Sequence, residues 1–317
     1  MPAQFHNARI KPPAIRRGDR VAIVAPASSF SRPDFEAGCN ALRGMGYEPV
    51  FNESIFDRDL YFAGSAEQRA HELEKMFARE DVRGIICARG GYGSNYLLPL
   101  LDIQKMVAHP KVFVGYSDLT GLMTYFYDAA GLVTFHGPMV SKDFAKEDGV
   151  DAASWEAALG AGSAGLNFFG DSEAKALVEG TAEGVLYGGC LSMLVASLGT
   201  PYEIHTEGTI LFIEDIATKP YQIDRMLMQL KLAGKFSGVR GIIFGEMLDC
   251  AQPGERRYTV EEVVMRIVGD ISAPVAFGLR SGHVSRSNIT LPLGVPARLN
   301  VSSSAIALEI LEPGTLP

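Results

Sequence analysis

The chain has 317 residues, 47% of them hydrophobic and 21% charged, with a formal net charge of -8 at pH 7. This is the composition of a globular protein with a full core, long enough for two domains of ordinary size or one large one. The acidic balance argues against a nucleic-acid partner, which favours basic patches. No apolar run approaches the roughly 18 residues that span a bilayer. The N-terminus MPAQFHNARIKPPAIRRGDR carries positive charges with no following apolar region of a signal peptide. No membrane partner and a cytoplasmic location are the expectations.

In chain order, RVAIVAPAS reads as a buried strand over Arg20–Ala25, and FEAGCNALRGMG as a helix ending at glycine. AEQRAHELEKMFARE is a strongly amphipathic helix and RGIICARGG a second strand, over Arg83–Cys87. KVFVGYS is a third strand, LTGLMTYFYDAAG a helix and LVTFHGP a short strand. Short apolar strands alternating with longer helices predict an α/β fold, an open parallel sheet with helices on both faces. From Ser141 to Gly180 the pattern degrades into segments rich in Gly, Ala, Ser and Asp, which predicts a linker or surface excursion. Beyond it, GTILFIEDI and VRGIIFGEM are strands flanking the helix YQIDRMLMQLKLAG, and VEEVVMRIVGD is another helix. The tail NITLPLGVPARLNVSSSAIALEILEP breaks into short β segments. The predicted division is an N-terminal domain over 1–140, a linker over 141–180 and a mixed α/β C-terminal domain over 181–317.

Cys39, Cys87, Cys190 and Cys250 form no C-x-x-C pair, and the six histidines form no H-E-x-x-H, so neither a metal site nor a redox dithiol is expected. No cofactor fingerprint is present either. There is no G-x-x-x-x-G-K-[ST], and in a dinucleotide pattern starting at Gly91 the third glycine would fall on Tyr96.

The chemistry centres on VFVGYSDLTGLM, where an apolar strand stops at Gly115 and a helix starts near Leu119, with Ser117 between them. A serine there serves either as an N-cap or as a nucleophile on a tight strand-to-helix turn. Asp118 could cap the helix equally well. In ARGGYGSNY, Gly90, Gly91 and Gly93 follow a strand leaving the same sheet edge, as a flexible turn or as backbone donors for an oxyanion. Of the histidines, His6 lies in the N-terminal tail, His71 on an amphipathic helix, His109 before a proline, His205 in a polar connection and His136 at a strand end. His283 stands in a polar glycine loop, LRSGHVSRSN, after the apolar PVAFG, where an ordinary loop histidine and a catalytic base are both consistent. Glu214 and Asp215 end the strand GTILFIED on opposite faces, so only one can share a site with a histidine. An ion pair with Lys219 or Arg225 is the structural alternative for either.

Together these pieces resemble the LD-carboxypeptidase family of serine peptidases. The resemblance runs from VAIVAPAS through RGGYG, GYSD, YGGCLSML and FIEDI with YQIDRML to GHV, nearly the whole chain. It implies a catalytic Ser117, Glu214 and His283, with the N–H groups of Gly91 and Asp118 as oxyanion donors. It further implies a cofactor-free hydrolase, commonly a homodimer, releasing terminal D-alanine from a small peptide substrate, the murein tetrapeptide of cell-wall recycling. One departure stands out: the family's Gly-Gly-Asn-Leu reads Gly188-Gly189-Cys190-Leu191 here, which touches substrate binding because a thiol hydrogen-bonds weakly. A related branch, the microcin C self-immunity proteins, cleaves peptidyl or aminoacyl adenylates, and Trp155 is a candidate stacking residue for that chemistry. Arg89, at the start of the glycine loop, is the nearest cation to a substrate carboxylate, or else ties that loop to its domain. A third reading is a ligand-binding α/β module with Ser117 as a cap.

Overall fold

The computed structural model describes residues 9–160, 174–251 and 258–317. His6, and residues 161–173 of the predicted linker, lie outside the described residues. The chain packs into two units, Met1–Ser163 with Arg286–Gly294 and Pro313–Pro317, and Ala164–Ser285 with Val295–Glu312.

In the first unit, strands β1 (Arg20–Val24), β2 (Glu48–Val50), β3 (Val82–Cys87), β4 (Val112–Gly115) and β5 (Thr134–His136) are parallel, in the spatial order 5-4-3-1-2. The Leu291–Leu293 strand adds to β5 antiparallel. Helices α1 (Arg32–Gly44), α2 (Ala66–Ala78), α3 (Ile103–Ala108) and α4 (Thr120–Ala130) connect the strands. The chain steps one way from β1 to β2 and the other way out to β5. Right-handed crossovers therefore put helices on both faces, and a ligand crevice is expected outside the carboxyl ends of the strands. Strands such as VFVG are buried on every residue, as two covered faces require.

Residues 141–160, read from the sequence as linker, belong to this unit. Helix α5 (Ala152–Leu159) is capped by Asp151, whose carboxylate accepts from Ser154 N at 2.8 Å. Trp155 is fully buried, with Nε1 donating to Tyr47 Oη at 3.2 Å and its ring 5.0 Å from that of Phe144. It is therefore a core anchor and presents no exposed ring for stacking. The sequence hides this because Ala and Ser surround one large side chain, so little periodicity remains. The last strands also cross the predicted boundary, since residues 286–294 return to the first unit.

The second unit holds β6 (Lys175–Val178), β7 (Gly180–Cys190), β8 (Thr209–Glu214), β9 (Gly241–Gly245) and β10 (Val275–Leu279). Strands β7 to β10 are parallel, and antiparallel strands flank them: β6 beside β10, and Pro296–Val301 then Ile306–Ile310 beside β7. This is the mixed sheet expected for the C-terminal part. Strand β7 is the longest among the described residues, and its sequence, GTAEGVLYGGC, carries four glycines. Its glycines are there for close approach: a Cβ at Gly184 would sit 2.7 Å from the carbonyl oxygen of Gly208. Helices α6 (Leu191–Ala196), α7 (Pro220–Leu232) and α8 (Val260–Val268) complete the unit.

Candidate active site

At the end of β4 the chain passes through extended Tyr116 (φ -160°) into Ser117 at φ 63°. A single 3-10 turn, Ser117–Leu119, then leads into α4. A serine in the left-handed region is strained, at about 1–2 kcal/mol. It is the backbone shape that lifts a side chain above a sheet edge on a strand-to-helix turn. The cap reading fails, because the residues at the cap positions are Tyr116 and Leu119, neither with a side-chain cap bond. Asp118 does not cap the helix either. Its buried carboxylate turns back to accept from Ser94 N at 2.7 Å, while its carbonyl accepts from Ser94 Oγ at 2.6 Å. Burial pushes the Asp118 carboxyl above its ordinary range.

The glycine loop after β3 lies directly against this turn. A Cβ at Gly90 would come within 2.9 Å of Ser117 Cβ and 3.2 Å of its Oγ. Gly91 has φ +103°, and a Cβ there would meet Ser28 Oγ at 2.5 Å. Ser28 ties the loop down, its N–H donating to Gly90 O at 3.2 Å and its Oγ accepting from Tyr92 N at 3.0 Å. The Gly91 N–H has no acceptor among the described residues. The Asp118 N–H lies in the first turn of the 3-10 segment, where a backbone donor has no partner within the turn. Gly90→Ala is therefore expected to displace Ser117 and lower kcat by about 100-fold with the fold retained. Steady-state kinetics beside a thermal melt checks this, and unchanged kcat would show that the contact is relieved elsewhere.

Arg89 is exposed and donates from Nη1 to Ser29 O at 3.2 Å, so it ties its loop to a backbone carbonyl and not to an acid. A residue that sequence reasoning passed over is Arg69, which is 4% exposed. Its Nη1 donates to Pro26 O at 2.5 Å and Gly93 O at 2.9 Å, and its Nε to Gly64 O at 3.1 Å. The signal was available, because Arg69 lies on the buried stripe of α2 with Ala70, Leu73, Met76 and Phe77. A charge on an apolar helix face needs dedicated partners.

In the second unit, β8 brings Glu214 to its end fully buried. Glu214 Oε2 accepts from His283 N at 3.0 Å and lies 2.7 Å from His283 Nδ1. With Nδ1–H donating to the carboxylate, Nε2 keeps its lone pair for a proton. Asp215 faces away, as the pleat requires. It accepts from Ser192 N at 2.9 Å, Ile216 N at 2.8 Å and Thr218 Oγ1 at 3.1 Å. It shapes the chain around α6, and burial raises its pKa. Neither carboxylate pairs with Lys219 or Arg225: Lys219 belongs to the capping box of α7, and Arg225 lies over the Tyr221 ring. Cys190 ends β7 directly opposite Glu214 in the parallel register, with Sγ 3.2 Å from Ser192 Oγ. Burial, and then the charges of Glu214 and Asp215, push its thiol well above the ordinary range, so it sits there as a neutral thiol. Of the other described histidines, His71 and His109 are exposed, His205 is half-buried, and His136 is buried at the end of β5, paired with Gly115 and with its ring 5.8 Å from that of Tyr116.

Comparison with known proteins bears on the family and the fold. Residues 21–137 match the LD-carboxypeptidase N-terminal domain and residues 183–299 the LD-carboxypeptidase C-terminal domain. The chain is 36% identical over 305 residues to a probable murein peptide carboxypeptidase of Bacillus subtilis, covering 94% of each protein. A crystal structure of muramoyltetrapeptide carboxypeptidase from Oxalobacter formigenes superposes with a TM-score of 0.81 at 29% identity, over 93% of this chain and 99% of that one. The microcin C7 self-immunity protein MccF, in complex with aspartyl sulfamoyl adenosine, superposes with a TM-score of 0.87 at 26% identity, over 96% and 99%. The chain belongs to the LD-carboxypeptidase family of peptidases.

Proposed function

We propose that this peptidase is a serine-type LD-carboxypeptidase that hydrolyses the L-to-D amide bond of murein tetrapeptide and releases terminal D-alanine. Ser117 Oγ attacks the scissile carbonyl as His283 Nε2 takes its proton, and Glu214 stabilises the imidazolium. The N–H groups of Gly91 and Asp118 receive the oxyanion. His283 then protonates the leaving amine of D-alanine, and water, deprotonated by the same imidazole, hydrolyses the acyl-serine. No cofactor takes part. The observation that supports this reading is the strained φ of 63° at Ser117, which serves no helix cap. Ser117 is one of six left-handed non-glycine residues among the described residues, a conformation that clusters at active sites. The Glu214–His283 pair supplies the base.

The free carboxylate of D-alanine needs a cation or backbone donors, and Arg89, which gives Nη1 to Ser29 O, supplies its remaining guanidinium donors. Cys190 replaces a stronger hydrogen-bonding side chain beside Glu214 and so tunes the substrate. In this reading the enzyme works in the cytoplasm as a homodimer. Cleavage of an adenylated peptide by the same residues is the second reading, favoured by the likeness to MccF. Incubation with purified murein tetrapeptide should release D-alanine, detected by mass spectrometry, and amidation of the terminal carboxylate should depress that release. Absence of D-alanine together with cleavage of an aminoacyl-adenylate amide would transfer the assignment to the second reading.

A further inference from the structure

The Gly93–Ser94 peptide is held at both ends by charged side chains. Its C=O accepts from Arg69 Nη1 at 2.9 Å and its N–H donates to Asp118 Oδ2 at 2.7 Å. Arg69 is 4% exposed and Asp118 is 1% exposed. Among the described residues no direct ion pair joins them, so the peptide group mediates between two buried opposite charges. Burying charge is costly, and charge-assisted bonds of this kind are the strong ones. A loop that needed only to be folded could be held by neutral groups.

We infer that Arg69 and the Asp118 carboxylate form a peptide clamp that positions the oxyanion-binding amides, a role that rests on the proposed function of Gly91 and Asp118. The placement favours it. The clamped peptide begins two residues after Gly91, and one jaw is the side chain of the residue that follows Ser117. One peptide group thereby links the two amides proposed to receive the oxyanion. The other jaw is fixed in turn, because Arg69 also donates to Pro26 O at 2.5 Å, Gly64 O at 3.1 Å and Ser65 O at 3.3 Å. The loops after β1 and β3 and the start of α2 are thus referred to one guanidinium. Gly93 itself, at φ +120°, has no room for a side chain, since a Cβ would meet the Phe62 ring at 2.5 Å. Lysine could not replace Arg69, because one ammonium cannot reproduce a fork aimed at four carbonyls.

The test compares wild type, Arg69→Lys, Asp118→Asn and the double variant at a temperature where circular dichroism shows each folded. It measures kcat and KM on murein tetrapeptide and the rate of Ser117 phosphonylation by a fluorophosphonate. Each single variant should lose about 10- to 100-fold in kcat and in phosphonylation rate, with KM within about twofold. The double variant should fall little further than the worse single, because both act on one peptide. Wild-type kcat in either single variant, or losses that multiply in the double, would overturn the clamp. Should Arg69→Lys fail to fold, Gly93→Ala crowds the same peptide without removing a charge. A loss confined to kcat then supports the clamp, and unchanged kcat overturns it. The phosphonylation rate keeps this test separate from substrate choice. A wild type that is phosphonylated at Ser117 but leaves the tetrapeptide intact refutes the proposed substrate, and the clamp is then read from the phosphonylation rates alone. A wild type not phosphonylated at Ser117 overturns both.

Discussion

Ser117→Ala is expected to abolish hydrolysis, a loss of several orders of magnitude in kcat, while the melting temperature stays within a few degrees of wild type. The hydroxyl caps no helix, so its removal costs the fold little, whereas removal of a nucleophile that acts as a unit with its base leaves only residual rate. Ser117→Gly sharpens the point. Glycine relieves a left-handed strain of about 1–2 kcal/mol and adds unfolded-chain freedom costing about 0.5–1 kcal/mol. The glycine variant should therefore be inactive yet as stable as wild type or more so. If Ser117→Gly melts markedly lower, the φ of 63° is not strain held for function, and the argument from it fails. Residual turnover in Ser117→Ala close to wild type would remove the covalent route.

The second large effect separates two adjacent acids. Glu214→Gln keeps the shape of the side chain but removes the charge that both N–H groups of His283 face. It should cost about 10⁴-fold in kcat, the magnitude seen when a buried triad carboxylate loses its charge. Asp215→Asn keeps an acceptor for only one of two backbone N–H groups, since Ser192 N meets Oδ2 and Ile216 N meets Oδ1, so its effect should fall mainly on stability and far less on rate. Initial rates of the two variants on one substrate decide the matter. Collapse of Asp215→Asn with near-normal Glu214→Gln would reverse the assignment.

The alternation of apolar strands and amphipathic helices made the first sheet legible in the sequence, because covered parallel strands show as apolar runs such as VFVG and GIIC. That only one of Glu214 and Asp215 can meet a histidine was also within reach, since the pleat sends neighbours to opposite faces, while the preference for Glu214 came from the family resemblance. What stayed hidden depended on long-range packing. Strand β7 needs glycines for close approach to its neighbours, and glycine in a sequence signals a turn. The helix around Trp155 is built from small residues with weak periodicity, so a core anchor reads as part of a linker. The strand Leu291–Leu293 is too short to signal itself and returns to the first unit from beyond the second. Arg69 left a trace, a charge on an apolar helix face, but its partners are backbone carbonyls that no side-chain pattern reveals. The strain at Ser117 was likewise invisible, because a cap and an elbow share the same residue types and differ only in φ.

The most direct test of the central claim is covalent labelling of the purified enzyme with a fluorophosphonate, followed by peptide mapping. The account predicts one adduct, on the Ser117 hydroxyl, with tetrapeptide hydrolysis falling in proportion to the fraction labelled and excess tetrapeptide slowing the labelling. Full hydrolytic activity in enzyme stoichiometrically labelled at Ser117, or inactivation with the adduct on another residue, would contradict it.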